Sequence, residues 1–154
     1  MPKHSRRIAV TAVAMGMFLL SASWIAAAEN TRQTARFPVL RTIMRDMGQN
    51  MQVIADAVAR EDWTLVARTA PLLAARPQPS MAEKIRLVGF LGSDAGAFRG
   101  YDKSTRQAAQ ELERAASRGD GEAAAAAFAT LERSCLACHR DFRQSFVDTF
   151  DEKP

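Results

Sequence analysis

The sequence predicts an all-α protein, an antiparallel up-down-up-down four-helix bundle, on three observations. Apolar residues recur in steps of three and four through most of the chain, turn residues fall between four helical stretches, and the connections at both long-helix junctions are short. No segment alternates with the period of two that marks a half-buried strand.

The first helix is expected from about residue 32 to Arg60. Leu40, Ile43, Met44, Met47, Met51, Ile54 and Val58 follow one another by three or four residues and form a continuous inner stripe. A shorter second helix runs from Trp63 to Ala75, with Val66, Thr69, Leu72 and Leu73 together and a kink expected at Pro71; it should end before Pro77-Gln78-Pro79. The connection from Arg76 to Gly96 is mixed, with one helical piece from Met81 to Phe90 capped by Ser80 and with Ser93 or Asp94 as the cap of the next helix. The third long helix extends to about Arg118 and turns Phe98, Tyr101, Thr105, Ala108, Leu112 and Ala115 inward. Gly119 stops it, and Asp120 starts a fourth helix from Gly121 to about Val147. The run Ala123 to Ala127 in that helix combines high helix propensity with side chains small enough for close packing.

The amino-terminal end has a different composition. Lys3, Arg6 and Arg7 are followed by an uncharged, largely apolar stretch from Ile8 to Ile25, and Ala26-Ala27-Ala28 supplies a small-x-small cleavage pattern before Glu29. Residues 1–28 are therefore read as a secretory signal peptide. Retention as a membrane anchor is the alternative, because the apolar stretch is about 18 residues long. Arg6-Arg7 resembles a twin-arginine signal, but general secretion fits better.

Removal of that segment takes three of the 21 basic residues and none of the 17 acidic ones, so the formal charge of +4 falls to about +1. The high overall pI then belongs partly to the leader, and no argument for nucleic-acid binding survives. Residues 29–154 form one domain able to bury a modest core, with no stretch suited to stable membrane insertion.

The chemistry of the chain concentrates in Cys135-Leu136-Ala137-Cys138-His139, which contains both of its cysteines. On a helix, positions i, i+3 and i+4 share a face, so two thiols can add to the vinyl groups of one haem while the imidazole reaches its iron. The pattern C-x-x-C-H is that of a c-type haem attachment site. Three plainer readings compete with it. A structural zinc site needs about four ligands, and the other histidine, His4, lies in the segment expected to be removed. A thioredoxin-like dithiol belongs with a βαβ pattern that this chain lacks. A disulfide across one helical turn would leave His139 unexplained.

Cys135 to Arg143, the preceding Gly119-Asp120 turn, and Met44-Arg45-Asp46-Met47-Gly48-Gln49-Asn50-Met51 together resemble the class II c-type cytochromes, the cytochrome c-prime family and its low-spin, methionine-ligated branch. The likeness covers most of residues 32 to 147, strongest in the last helix and poorest from Arg76 to Gly96. It implies that one haem c is held through thioethers by Cys135 and Cys138, that His139 is the proximal iron ligand, and that the opposite face of the iron looks toward the first helix. In the low-spin members a methionine fills that face, and the matching position here is Met44.

A depth argument tests the choice. In such a bundle the end of helix one and the start of helix four lie at the same end. At 1.5 Å per residue, His139 lies roughly 27 Å from Gly121, against roughly 24, 20 and 14 Å from Arg60 for Met44, Met47 and Met51. Met44 matches best, Met47 stays within the boundary error of two to four residues, and Met51 falls outside it. Inward methionines ordinarily fill a core, and that is the reading left for Met47 and Met51.

Phe142, one turn beyond His139, should pack on the proximal side. Arg143 matches the family arginine near the proximal pocket, though an arginine at that spacing is ordinarily solvated. Where the family often has a propionate-binding arginine this chain has Leu40, which leaves Arg41, Arg45 or neither in that role.

Two functional classes follow. With Met44 on iron, a six-coordinate His/Met haem suits a periplasmic one-electron carrier that meets redox partner proteins by transient contact at an exposed haem edge. Arg41, Arg45, Arg140 and Arg143 could flank that edge. With Met44 only packing, resemblance to five-coordinate members implies binding or sensing of nitric oxide or another small gas. An enzyme such as a peroxidase finds no support, because spacing places no carboxylate or second histidine above the iron. The resemblance also allows a homodimer through the first two helices.

Overall fold

A computed structural model describes residues 37–150, and every regular element within them is helical. The signal peptide expected at residues 1–28, and the start of the first helix expected near residue 32, lie outside the described residues. In chain order the elements are α1 (Pro38–Ala59), α2 (Trp63–Ala74), α3 (Met81–Leu91), a 3₁₀ turn (Gly92–Asp94), α4 (Ala95–Ser117), α5 (Gly121–Cys138), a π-helical turn (His139–Arg143) and α6 (Gln144–Phe150). The last three follow without a break, so the fourth expected helix ends three residues later than expected. No helix among the described residues is long and apolar enough to cross a membrane.

Two junctions are built alike. Arg60-Glu61-Asp62 links α1 to α2, and Arg118-Gly119-Asp120 links α4 to α5. In the first, Glu61 N–H donates to the Val58 carbonyl and Asp62 N–H to that of Ala57; in the second, Gly119 and Asp120 donate to Ala116 and Ala115. Each thereby satisfies carbonyls that a helix end leaves unpaired. The central residue is left-handed in both, with φ of 57° at Glu61 and 68° at Gly119. Each aspartate then caps the following helix, Asp62 accepting from Leu65 N–H and Asp120 from Ala123 N–H, both at 3.0 Å. The two junctions meet: a Cβ placed on Gly121 would lie 2.7 Å from the indole of Trp63.

Next to these junctions the bundle is solid. Ile54 and Ala57 of α1, Val66, Ala70 and Leu73 of α2, Leu112 and Ala115 of α4, and Ala124 and Leu131 of α5 are fully buried in one cluster. Alanines at these positions let helices approach closely, as the alanine run of α5 predicts. α2 packs on α1 and α4, and α4 packs along α5. Pro71 is accommodated inside α2.

The other half of the bundle is hollow. The stripe of α1 continues away from the junction through Met51, Met47 and Met44, but these are only partly covered, and Met44 is 39% exposed. They border cavities where the stripe alone predicts packed neighbours.

The mixed connection resolves into α3. Ser80 caps it by accepting from Glu83 N–H at 3.2 Å, as expected. Asp94 occupies the cap position of α4, but neither it nor Ser93 makes a side-chain cap bond; the 3₁₀ turn leads directly into the helix and replaces that cap. Glu83 itself is almost completely buried, at 2% exposure, and its carboxylate accepts the backbone N–H of Leu40 in the first turn of α1. The cap position of α1 is Phe37, whose side chain can cap nothing, and Glu83 fulfils that function from 43 residues beyond Leu40.

Candidate haem-binding site

The four residues singled out from the sequence meet in the hollow half. Met44 from α1, Cys138 from the end of α5 and His139 from the turn that follows it line a cleft of about 440 Å³. Behind it, Met44, Cys135, Cys138 and His139 line a smaller cavity of about 130 Å³. A third space of about 320 Å³ adjoins under α3, and Met44 and Phe98 border all three. Met47 and Met51 reach only the smallest. Linings of this kind, apolar with a few polar groups and several hundred cubic ångströms in extent, are those of cofactor pockets.

The two thiols are free and half-buried. Burial raises the pKa of both, opposed at Cys135 by the Ser134 hydroxyl and Arg76, and reinforced at Cys138 by Cys135. They are thus protonated at neutral pH. The His139 imidazole is shifted the other way, first by desolvation and then by the Arg143 guanidinium, so its neutral, metal-ligating form is favoured. Among the described residues no three His, Cys, Asp or Glu side chains converge on a point as a bare metal-ion site does. The thiols and the imidazole are spread along a cavity wall, and a pair of unbridged thiols with one neutral imidazole is the donor set a covalently attached haem requires.

His139 opens the π-helical turn, a feature that helical spacing did not foretell. The extra residue in that turn changes which later side chains face the cleft. Phe142, expected on the proximal side of the pocket, instead packs edge-on against Phe98, with ring centres 5.3 Å apart, and against Tyr101. Arg143, Phe146, Val147 and Phe150 line the cleft with His139. Tyr101 hydrogen-bonds Asp141, tying α4 to the turn two residues past the imidazole.

Phe37, Phe90, Phe146 and Phe150 form one contiguous ring cluster, with Phe37 and Phe150 only 4.6 Å apart between centres. Phe98 joins it to Phe142. The spacing of Phe142, Phe146 and Phe150 along one helix was the available signal for this wall, but the partners Phe37 and Phe90 come from distant segments. Of the arginines considered from sequence, Arg41, Arg45 and Arg143 line the cleft and Arg140 does not. Arg41 donates to the Phe150 carbonyl at 3.4 Å, and Arg45 pairs with Asp46 at the surface.

Sequence reading missed the buried group beside the thiols. Arg76 follows the C-cap residue of α2, Ala75, and precedes Pro77, which disfavours helical backbone at the preceding residue. Its guanidinium bonds the Leu73 carbonyl at 2.6 Å and pairs with Asp102 of α4. Arg106 also pairs with Asp102, at 2.9 Å, and bonds the Ala74 carbonyl, so two cations close the carbonyl end of α2.

Fold and site together describe a helical protein with a C-x-x-C-H motif facing a cleft, an arrangement that fits a covalently attached haem. Comparison with protein families agrees: residues 93–143 match the family model described as Cytochrome C'. The match runs from the 3₁₀ turn through the π-helical turn and supports the class II cytochrome c-prime family, in which haem c is covalently bound; α1 and α2 lie outside it. No curated protein matches the chain.

Proposed function

We propose that this chain is an exported electron carrier, without enzymatic activity, working in the periplasm with one haem c and His/Met axial ligation. When bound, the haem supplies a metal centre that takes up and releases one electron. Cys135 and Cys138 would hold it through thioether bonds, and the His139 imidazole nitrogen and the Met44 sulfur would serve as its iron ligands. A filled sixth position excludes exogenous ligands and raises the reduction potential. Phe146 and Phe150 line the cleft with His139 and would give the haem an apolar wall on that side. Electrons pass by transient contact with redox partner proteins at the cleft mouth, flanked by Arg41, Arg45 and Arg143.

The observation that carries this reading is that Met44, alone of the three methionines on α1, borders every cavity that Cys138 and His139 border. The methionine-ligated branch of the family is accordingly favoured over the five-coordinate members. The contact between Trp63 and Gly121 supports the up-down-up-down course, because in that arrangement the α1/α2 and α4/α5 junctions belong at the same end.

Absorption and EPR spectra of the ferric protein and its Met44→Ala variant test the proposal. Low-spin signals with a thioether-to-iron band that disappear in the variant support electron transfer. High-spin iron in the unmodified protein moves the assignment to binding of nitric oxide or another small gas.

A further inference from the structure

Arg76 is buried, its side chain 8% exposed, and with Asp102 it lines the small cavity that contains both thiols and His139. Desolvation and the neighbouring Arg106 lower its pKa to about 10, which leaves it charged at neutral pH. One carboxylate, Asp102, answers two guanidiniums. The cluster therefore holds one surplus positive charge. A buried charge is costly unless it is compensated, and Arg76 lines the same small cavity as Cys135 and Cys138; its charge pulls the pKa of both thiols downward, against their burial.

We propose that Arg76 and Asp102 set the reduction potential of the haem held by Cys135 and Cys138, the guanidinium favouring the ferrous state and the carboxylate opposing it. This rests on the haem reading above. Reduction brings one electron from a donor protein to the iron, breaks no bond, and lowers the charge of the centre by one. A fixed cation beside the centre therefore stabilises the reduced form, most effectively where water is excluded. Arg76 and Asp102 act as positioning residues for charge and touch no reacting atom. A purely structural role, closing the end of α2, predicts loss of stability when either is changed but no opposed shifts in potential.

The test uses the full chain matured in a host that attaches c-type haem, with haem content measured by pyridine haemochrome and midpoint potentials by spectroelectrochemistry. Arg76→Gln is expected to lower the ferrous-to-ferric ratio at fixed ambient potential about tenfold, which for one electron is about 59 mV. Asp102→Asn is expected to raise the potential, and Arg76→Lys to keep it near that of the unmodified protein. Should Arg76→Gln fail to accumulate, Arg106→Gln supplies the second cation-removing arm, again expected to lower the potential. Shifts of the same sign in the Arg and Asp variants, or no shift with full haem content, overturn the inference while leaving the haem reading intact. Absence of haem from the unmodified protein overturns both.

Discussion

The carboxylate of Glu83, on α3, accepts the backbone N–H of Leu40 at 3.2 Å and so caps α1 from across the chain. Four residues after Leu40 the same helix presents Met44 to the cleft, so the connection that reads as mixed in sequence secures the helix carrying the proposed sixth ligand. Replacing a capping side chain by alanine costs about 1 to 2 kcal/mol, and here it would also leave a partly buried N–H without its side-chain partner. Glu83→Ala is expected to lower unfolding free energy by that amount in denaturant titrations. Ser80→Ala, which removes only the local cap of α3, is expected to cost less, about 1 kcal/mol.

The paired junctions make a prediction of opposite sign. Glu61 and Gly119 occupy the same left-handed position in equivalent turns, but an L side chain pays about 1 kcal/mol there that glycine does not. Glu61→Gly is therefore expected to be neutral or to stabilise by up to about 1 kcal/mol. Gly119→Ala should destabilise by about as much. Thermal unfolding of both variants checks the pair.

The three methionines of α1 are separable by experiment. Met44 borders the main cleft, whereas Met47 and Met51 border only the cavity behind it. Met47→Ala and Met51→Ala are expected to keep the ferric low-spin spectrum and, because both side chains are only partly covered, to lose less stability than a fully buried methionine would, at most about 2 kcal/mol. Loss of the low-spin signal in Met47→Ala with its retention in Met44→Ala would reassign the ligand.

Burial raises the folded-state pKa of Cys135 and Cys138, so in haem-free, reduced protein the folded chain holds protons that the unfolded chain releases. The associated stability is present below the ordinary thiol pKa of about 8.5 and is lost as pH rises above it. Unfolding midpoints of the haem-free protein should fall over that alkaline range, and a Cys135→Ser, Cys138→Ser variant should not share the decline. Alkylation of the folded thiols should lag behind that of a free thiol throughout the same range. An unchanged alkaline profile in the double variant would remove the thiols as its cause.

Short-range physics was legible in the sequence. The stripe of α1, the start of α2 at Trp63, the Asp120 boundary and the Gly119 stop each depend on residues within one or two turns of one another, and the attachment motif is five consecutive residues. The register of Met44 against His139 could also be estimated, because rise per residue and the short connections fix depth along a bundle. The family match covers only residues 93–143, so that placement rests on helical geometry and the cavities.

What only the tertiary structure decided are relations between segments far apart in the chain. Nothing in the local sequence marks Glu83 as buried; its partner, the Leu40 N–H, lies 43 residues away on α1. Arg76 looked like part of a loop until Asp102 and the thiols were found beside it. The π-helical turn at His139 redirected Phe142 toward Phe98 and brought Phe146 and Phe150 to the cleft. Hydrophobic periodicity and caps are local, whereas the partners of a buried charge or ring depend on which helices meet, and that is settled by packing the chain as a whole.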